Sequence, residues 1–263
     1  VGLKPTYGAV SRFGAIASGS SLDQIGPIAK TVKDASLIFD AISGQDPLDS
    51  TTVPINKMEK ISELDIRDLR IGMPKEFFEV DGVEKGVSEA VKKALVWYES
   101  EGAEIKEISL PNIKYSLPAY YIIQPAEASA NLARYDGIRY GERASAQDLN
   151  SVYFESRGRF TGLETQRRIM LGTYALSSGY YDAYYLQAQK VRSLIRQDFE
   201  EAFNEVDVII APTSPTVAFK LGEKTKDPLQ MYAADIFTVT ANLAGVCAIS
   251  INCGQSQNLP VGL

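Results

Sequence analysis

Residues 69–110 read LRIGMPKEFFEVDGVEKGVSEAVKKALVWYESEGAEIKEISL, and this stretch decides the fold class. It contains a short apolar run at 69–73, then a helical pattern at 84–101, and then alternating charged and apolar residues at 104–110. Gly102 stands where a helix C-terminal cap is expected. A strand, a helix and a second strand in this order favour a parallel strand pair with a right-handed crossover. The sequence therefore predicts an α/β fold.

The segment before this unit contains one helix signal. Thr31 forms a capping-box pattern with Asp34, and Gly44 marks the end of the helix. The apolar residues between them recur at helical spacing. We expect the face that they form to lie in the core: Val32, Ala35, Phe39 and Ile42.

The segment after this unit is mostly helical. Residues 117–134 and 163–204 are predicted to be helices, and the polar stretch 142–162 between them is predicted to be a mobile loop. Residues 207–211 form a continuous apolar run, which predicts a buried strand that leads into a hydroxyl-rich loop at 212–216. Such loops often line ligand pockets in α/β proteins.

The C-terminal part is predicted to contain a helix at 229–244 and a strand at 248–252. The chain has no internal repeat, no low-complexity segment and no long linker. We therefore predict one domain over residues 1–263, which we interpret as incomplete at both ends.

Composition excludes several classes of chemistry. The 263 residues include no histidine, which removes Ser-His-Asp and Cys-His catalysis and most zinc sites. The formal charge of −6 provides no general basic field for nucleic acid. Cys247 and Cys253 lie in an apolar stretch without metal-ligand spacing, and both are predicted to be core thiols.

The sequence also lacks targeting and cofactor signals. No apolar run approaches the roughly 18 residues that a membrane helix needs, and residues 1–5 resemble neither a signal nor a transit peptide, so a cytoplasmic location is predicted. The glycines match neither a dinucleotide fingerprint nor a P-loop. We predict no cofactor and no metal in this chain.

Three features could carry a function, and each also has a structural explanation. Ser18-Gly19-Ser20-Ser21 could bind an anion through its hydroxyls and amides, or could be a turn. Arg167-Arg168, beside an apolar helix stripe, could hold a carboxylate or could be ordinary solvated or paired arginines. Asp235, in an apolar helix pattern, could bind an ammonium group or could lie at a helix N-terminus or on the surface. Together, Arg168 and Asp235 would suit an α-amino acid.

The tyrosine-rich segment 179–185 could in principle stack on nucleic acid bases. It has little positive charge around it, so packing and hydroxyl hydrogen bonds are the favoured interpretation.

Several longer strings resemble the amidase-signature family. Two of them narrow the resemblance to its tRNA-dependent amidotransferase A subunits: NLARYDGIRYG at 131–141 and RRIMLGTYALSSGYYDAYY at 167–185. The others are VGLKPTYG at 1–8, SSLDQIGP at 20–27, APTSPT at 211–216, DPLQMY at 227–232 and ANLAG at 241–245. The resemblance covers nearly the whole chain, and it implies a mixed central β-sheet flanked by helices on both faces.

The resemblance also implies an activity and its partners. The family hydrolyses an amide with a nucleophilic serine, a second serine and a lysine. All three lie upstream of Val1 in the family, so no catalytic residue is assigned in this chain, which by itself is expected to be inactive. The A subunits supply ammonia from glutamine for amidation of Glu-tRNA(Gln) or Asp-tRNA(Asn). A B subunit binds tRNA, ATP and Mg²⁺, and a small C subunit braces the pair.

On the substrate side, the resemblance implies that free glutamine is bound by Tyr120, Arg168 and Asp235. Arg168 would hold the α-carboxylate and Asp235 the α-ammonium group. The sequence departs from the family where Thr240, Cys247 and Asn252 replace the usual prolines, and the segment 156–166 is not the usual glycine-rich version. Two other functions stay open: another amidase-signature amide hydrolase, and a non-catalytic scaffold or binding module.

Overall fold

The computed structural model describes residues 1–54, 65–80, 82–224 and 228–263, except the side chains of 228–230. The strands among these residues are β1 (Gly2–Lys4), β2 (Arg70–Pro74), β3 (Glu104–Ile108), β4 (Val208–Ile209), β5 (Ala248–Ser250), β6 (Asn252–Ser256) and β7 (Leu259–Gly262). The helices are α1 (Val32–Ile42), α2 (Lys75–Phe78), α3 (Lys85–Ser100), α4 (Ser116–Leu132), α5 (Leu149–Phe160), α6 (Leu163–Ala175), α7 (Gln187–Ala202), α8 (Pro228–Ala233) and α9 (Thr238–Ala244). A π-helical segment, Tyr181–Leu186, precedes α7.

The described chain divides into two compact units. The sheet unit comprises Val1–Gly14, Gln24–Leu117 and Val191–Leu263, and it contains all the strands named above. The helical unit comprises Ala15–Asp23 and Pro118–Lys190, and it contains most of α4 together with α5 and α6. Whether the two units belong to one domain, as the sequence predicts, stays a prediction.

The predicted strand-helix-strand unit is confirmed. Strand β2 lies between β3 and β4 and pairs in parallel with both, with Ile71 opposite Ile105 and Val208. Helix α3 covers the sheet because its apolar residues repeat every three to four positions, and Val87 and Val91 are fully buried against Ile71. Each such side chain contributes about 1.5–3 kcal/mol through burial. The fold class is therefore α/β.

Antiparallel pairing also occurs, as the family resemblance implies. Strand β1 pairs with β5, and β6 pairs with β7 in a hairpin. The hairpin turns at Gln257 and Asn258, which both have positive φ, as a two-residue turn between twisted strands requires. In the described residues each of these pairs forms a two-stranded sheet of its own, separate from the three-stranded parallel sheet. The strands of the predicted mixed sheet are therefore distributed over three sheets.

The prediction that the apolar face of α1 lies in the core is wrong. Of the four residues in that prediction only Ala35 is buried, and the side chain of Val32 is 53% exposed. The cap itself is as predicted, because the Thr31 hydroxyl accepts a hydrogen bond from the Asp34 amide at 3.1 Å. Local signals thus determine where the helix begins, but the described residues do not cover its apolar face.

The prediction of a mobile loop at 142–162 is also wrong, because α5 occupies Leu149–Phe160. Asp148 caps the helix by accepting hydrogen bonds from the amide and hydroxyl of Ser151. Buried Ser156 ties the helix to the preceding segment, since its hydroxyl accepts from the Ala144 amide at 3.0 Å. The helix has no continuous apolar stripe, so periodicity alone did not reveal it.

Two predictions about the C-terminal third need correction. The apolar run at 207–211 forms only the two-residue strand β4, and Val208 is 37% exposed, because this strand lies at the edge of the sheet. The predicted helix at 229–244 is divided into α8 and α9 by a turn over residues 234–237. Helix α9 ends at Gly245, whose φ of 80° forms a left-handed cap.

The two cysteines are not both core thiols. Cys247 is exposed, because it follows the cap of α9 and precedes β5, which also exposes its first residues. Cys253 is half-buried, and its thiol donates to the Val261 carbonyl at 3.6 Å. Burial raises the pKa of Cys253, so this thiol is less reactive than a free one.

Lys4 connects β1 to the C-terminal end of α9. Its ammonium group donates hydrogen bonds to the carbonyl oxygens of Val246 at 2.5 Å and Ala241 at 3.4 Å. Cations are favoured at this end of a helix. Burial nevertheless lowers the pKa of Lys4 to about 8, although an electrostatic interaction with Cys247 acts in the opposite direction.

We expect Lys4 to make stability depend on pH on the alkaline side. Its pKa is about 8 in the folded state and near 10.5 when exposed, so between these values the unfolded state binds more protons. The free energy of unfolding should therefore rise with pH across this window. In Lys4→Met this rise should shrink, as measured by urea unfolding at about pH 7.5 and about pH 9.5. Equal pH dependence in the two proteins would contradict the assignment.

Candidate functional site

Arg168 lies on α6 in the helical unit, and its side chain is only 29% exposed. Its Nε donates to Oε1 of Glu164, one helical turn earlier, at 3.0 Å. Burial disfavours the charged guanidinium, but this hydrogen bond and electrostatic interactions with Tyr120, Glu164 and Tyr121 outweigh that effect and raise the pKa of Arg168. Arg168 is thus a permanent, partly desolvated cation.

Helix α4 places two tyrosines beside this cation. The rings of Tyr120 and Tyr121 are half-buried and meet edge to face, with centroids 5.1 Å apart. Both interact electrostatically with Arg168. The structure therefore brings together two of the three predicted site residues, Arg168 and Tyr120.

Gly172 allows helices α4 and α6 to approach each other closely. The sequence did not lead us to predict this role. A Cβ atom at Gly172 would lie 1.9 Å from the carbonyl oxygen of Pro125 and 2.7 Å from the hydroxyl of Ser129. Gly172 is one turn after Arg168 on α6, and Pro125 is one turn after Tyr121 on α4. The absence of a side chain at Gly172 thus allows α6 to lie directly on α4. The sequence did contain a signal for this close approach, because a glycine inside a helical pattern often has a packing role.

Asp235, the third predicted residue, belongs to the sheet unit. It lies in the turn before α9, not inside a continuous helix, and its side chain is half-buried. Its carbonyl accepts hydrogen bonds from the amides of Thr238 and Val239 at 3.1 Å. An acid at this place is favoured by the α9 dipole, so its position agrees with the structural explanation of a helix N-terminus. Its role in binding an ammonium group stays a prediction.

Phe237 anchors the segment that carries Asp235. Its ring is buried and packs edge to face on Phe77 of α2, with centroids 5.4 Å apart. Thr240 is fully buried, and its hydroxyl donates to the Phe237 carbonyl at 2.6 Å. A side chain thus supplies a contact that holds this turn in place.

The serine-rich segment at 18–21 is a structural turn. The Ser21 amide and hydroxyl donate to the two carboxylate oxygens of Glu127 at 2.8 and 2.6 Å. The Ser20 hydroxyl donates to Asn131 at 3.0 Å. The polar groups of segment 18–21 thus attach it to α4 within the helical unit. This favours the interpretation of the segment as a turn over that of an anion site.

The hydroxyl-rich loop at 212–216 is likewise held by packing contacts. The Thr213 amide donates to the Gly262 carbonyl at 3.0 Å, and the Thr213 hydroxyl lies 2.9 Å from that of Ser250. The Pro215 carbonyl accepts from the amide of Glu84, directly before α3. A ligand pocket in this loop stays a prediction.

The tyrosines of the 179–185 segment contact one another. The rings of Tyr174 and Tyr180 lie 4.5 Å apart, and Tyr184 lies 5.9 Å from Tyr180. A hydrogen bond with Tyr180 raises the pKa of Tyr174 to about 12. Packing and hydroxyl hydrogen bonds, the interpretation that the sequence favoured, therefore describe this cluster.

Two other classes of feature do not occur in the described ranges. No helix there is long and apolar enough to cross a membrane. No group of three or more cysteine, aspartate or glutamate side chains in those ranges is arranged to hold a metal ion. The chemistry that the helical unit offers is a partly buried guanidinium beside phenol groups, which is suited to a carboxylate.

Comparison with known proteins identifies the family. The family model described as Amidase matches residues 1–263, the whole chain. The chain belongs to the amidase family. This confirms the resemblance seen in the sequence.

Similar amidase-family proteins are known from several bacteria. The glutamyl-tRNA(Gln) amidotransferase A subunit of Caldanaerobacter subterraneus subsp. tengcongensis is 61% identical over all of this chain and 54% of its own length. The protein of the same name from Thermoanaerobacter pseudethanolicus is 59% identical with the same coverage. The chain thus spans about half the length of these curated relatives.

Solved structures of the amidase family agree with the fold. The crystal structure of the glutamyl-tRNA(Gln) amidotransferase A subunit from Thermotoga maritima matches 99% of this chain and 52% of that chain, with a TM-score of 0.77 and 45% identity. The crystal structure of another amidase matches with a TM-score of 0.72 at 21% identity, which concerns the fold alone.

Proposed function

We propose that the complete protein that carries this chain hydrolyses glutamine as the A subunit of a tRNA-dependent amidotransferase. The observation that carries the proposal is the 61% identity over the entire chain to a protein with that name. The geometry of Arg168 and Tyr120 supports it, because a partly desolvated arginine beside a phenol is suited to an amino-acid carboxylate.

Each predicted site residue has a distinct role in the proposal. Arg168 binds the α-carboxylate of glutamine, Asp235 binds the α-ammonium group, and Tyr120 completes the binding surface beside Arg168. Charge pairing of this kind orients the side-chain amide toward the nucleophile. The nucleophilic serine, the second serine and the lysine of the family are not assigned to any residue of 1–263.

The proposal also includes partners and a location. A B subunit binds tRNA, ATP and Mg²⁺ and uses the ammonia to amidate Glu-tRNA(Gln) or Asp-tRNA(Asn), and a C subunit completes a heterotrimer in the cytoplasm. The net charge of −6 supports assigning tRNA binding mainly to a partner, because this chain offers no general attraction for phosphates.

Three amides test the proposal in the complete protein, assayed alone and with its partner subunits for ammonia release. Glutamine carries both α-groups, glutaramate lacks the ammonium group, and 4-aminobutanamide lacks the carboxylate. We expect glutamine to be hydrolysed most efficiently. Equal rates on all three would favour a general amide hydrolase, and no ammonia from any of them would favour a non-catalytic scaffold.

Asp235→Asn provides a test of the ammonium site. The substitution keeps the shape of the side chain but removes its charge, so KM should rise about 10- to 100-fold for glutamine and 4-aminobutanamide. Hydrolysis of glutaramate should change little, because this amide has no ammonium group. A similar loss on all three amides would show that Asp235 acts through the fold of the turn before α9.

A further inference from the structure

Glu164 lies one helical turn before Arg168, and its carboxylate is shared by two arginines. Oε1 accepts the hydrogen bond from Nε of Arg168 at 3.0 Å, and Oε2 pairs with Nη1 of Arg167. A glutamate four residues before an arginine is a favourable arrangement on a helix. The contact therefore holds the Arg168 side chain along its own helix in one orientation.

This contact also determines which edge of the guanidinium is available. Within the described residues, the hydrogen bond from Nε to Glu164 is the one that the Arg168 side chain makes. The Nη1 and Nη2 groups form the edge that binds a carboxylate through two parallel hydrogen bonds. Glu164 thus occupies the side of Arg168 that a substrate carboxylate does not need.

The carboxylate of Glu164 contacts the guanidinium groups of both Arg167 and Arg168, so it is not dedicated to Arg168 alone. Arg167 is 43% exposed and Arg168 is 29% exposed, so the less solvated arginine is the one beside the tyrosines.

We propose that Glu164 is a positioning residue that orients Arg168 for the α-carboxylate of the substrate. The inference rests on the proposed function, because it assigns Arg168 to that carboxylate. Glu164 acts through Arg168 and does not contact the substrate itself. Its effect is therefore specific for amides that carry a carboxylate at the position of the glutamine α-carboxylate.

The chain offers a matched control on α5. Arg159 and Glu155 have the same four-residue spacing and orientation, and their charged groups lie 2.9 Å apart. The Arg159 side chain is 64% exposed, so this pair is an ordinary surface ion pair, which contributes little to stability. Glu155→Ala removes the same kind of helix contact without touching Arg168.

The experiment compares Glu164→Ala, Glu164→Gln and Glu155→Ala in the complete protein with its partners. For Glu164→Ala we expect KM for glutamine and glutaramate to rise about tenfold, because a misplaced Arg168 binds the carboxylate poorly. KM for 4-aminobutanamide should stay within about twofold. Glu164→Gln keeps an oxygen that can accept a hydrogen bond from Nε of Arg168, so its KM for glutamine and glutaramate should rise less than that of Glu164→Ala. Glu155→Ala should resemble the unaltered protein on all three amides.

Two results would overturn the inference. Glu164→Ala could match Glu155→Ala on every amide, or it could lower hydrolysis of 4-aminobutanamide as much as that of glutamine, which indicates a merely structural role. Arg168→Ala separates this failure from failure of the proposed function. If Arg168→Ala raises KM for glutamine but Glu164→Ala does not, only the positioning role is wrong. If neither substitution raises KM for glutamine, the assignment of Arg168 to the carboxylate is wrong.

Discussion

Replacing Arg168 by alanine should lower kcat/KM for glutamine by about 100- to 1000-fold in the complete protein. Loss of one partner from a desolvated, hydrogen-bonded charge pair costs about 2–5 kcal/mol, and 1.4 kcal/mol corresponds to a factor of ten. Because Arg168 is partly exposed, we expect the loss of transition-state binding free energy to be about 3–4 kcal/mol. The same substitution should barely affect 4-aminobutanamide, which has no carboxylate.

Arg168→Lys is informative because it keeps the charge and removes the planar fork. We expect it to recover only part of the lost kcat/KM, since an ammonium group cannot form two parallel hydrogen bonds with a carboxylate. Arg159→Ala on α5 is the control, because Arg159 also pairs with a glutamate one turn earlier. An equal loss of activity in Arg168→Ala and Arg159→Ala would contradict the assignment.

Gly172→Ala should lower the free energy of unfolding by about 1–2 kcal/mol. The new methyl group would lie 1.9 Å from the Pro125 carbonyl oxygen, and a backbone oxygen inside a helix cannot move alone. Overpacking of this kind typically costs about 1–3 kcal/mol and sometimes more, which outweighs the roughly 1 kcal/mol gained by replacing a helical glycine. The measurement is urea unfolding of the complete protein.

Gly158→Ala is the matched control for Gly172→Ala. Gly158 also lies inside a helix, α5, but a Cβ atom there would have no heavy atom within 4 Å. This substitution should stabilise the protein by about 0.5–1 kcal/mol. Stabilisation by Gly172→Ala as well would mean that α6 does not lie directly on α4. If Gly172→Ala folds, its KM for glutamine should rise, because Arg168 is on the same helix one turn earlier.

Local patterns determined much of the secondary structure. The strand-helix-strand unit at 69–110 was predictable because apolar spacing in α3 and alternation in β3 are properties of the segments themselves. The cap at Thr31 and the helices α4, α6 and α7 were predictable for the same reason. Helix α5 was missed because its signal is a cap at Asp148 and not a stripe of apolar residues.

Arg168 and Asp235 were predicted to be site residues from the family resemblance and from charge logic, but their surroundings were not predicted. Sequence alone determined that the chain carries an arginine beside an apolar stripe and no histidine, and hence which chemistry is excluded. Only the tertiary structure decided that Tyr120 influences Arg168 electrostatically, because the two residues are 48 positions apart and their helices approach closely at Gly172.

The same distinction applies to the polar segments that the sequence left open. The serines at 20 and 21 have partners more than 100 residues away, on α4, so no local pattern could show that their hydroxyls are already used. Exposure of the α1 face and of Cys247 was likewise beyond the sequence. A periodic pattern reports which side of an element is apolar, whereas burial depends on whether another part of the structure covers that side.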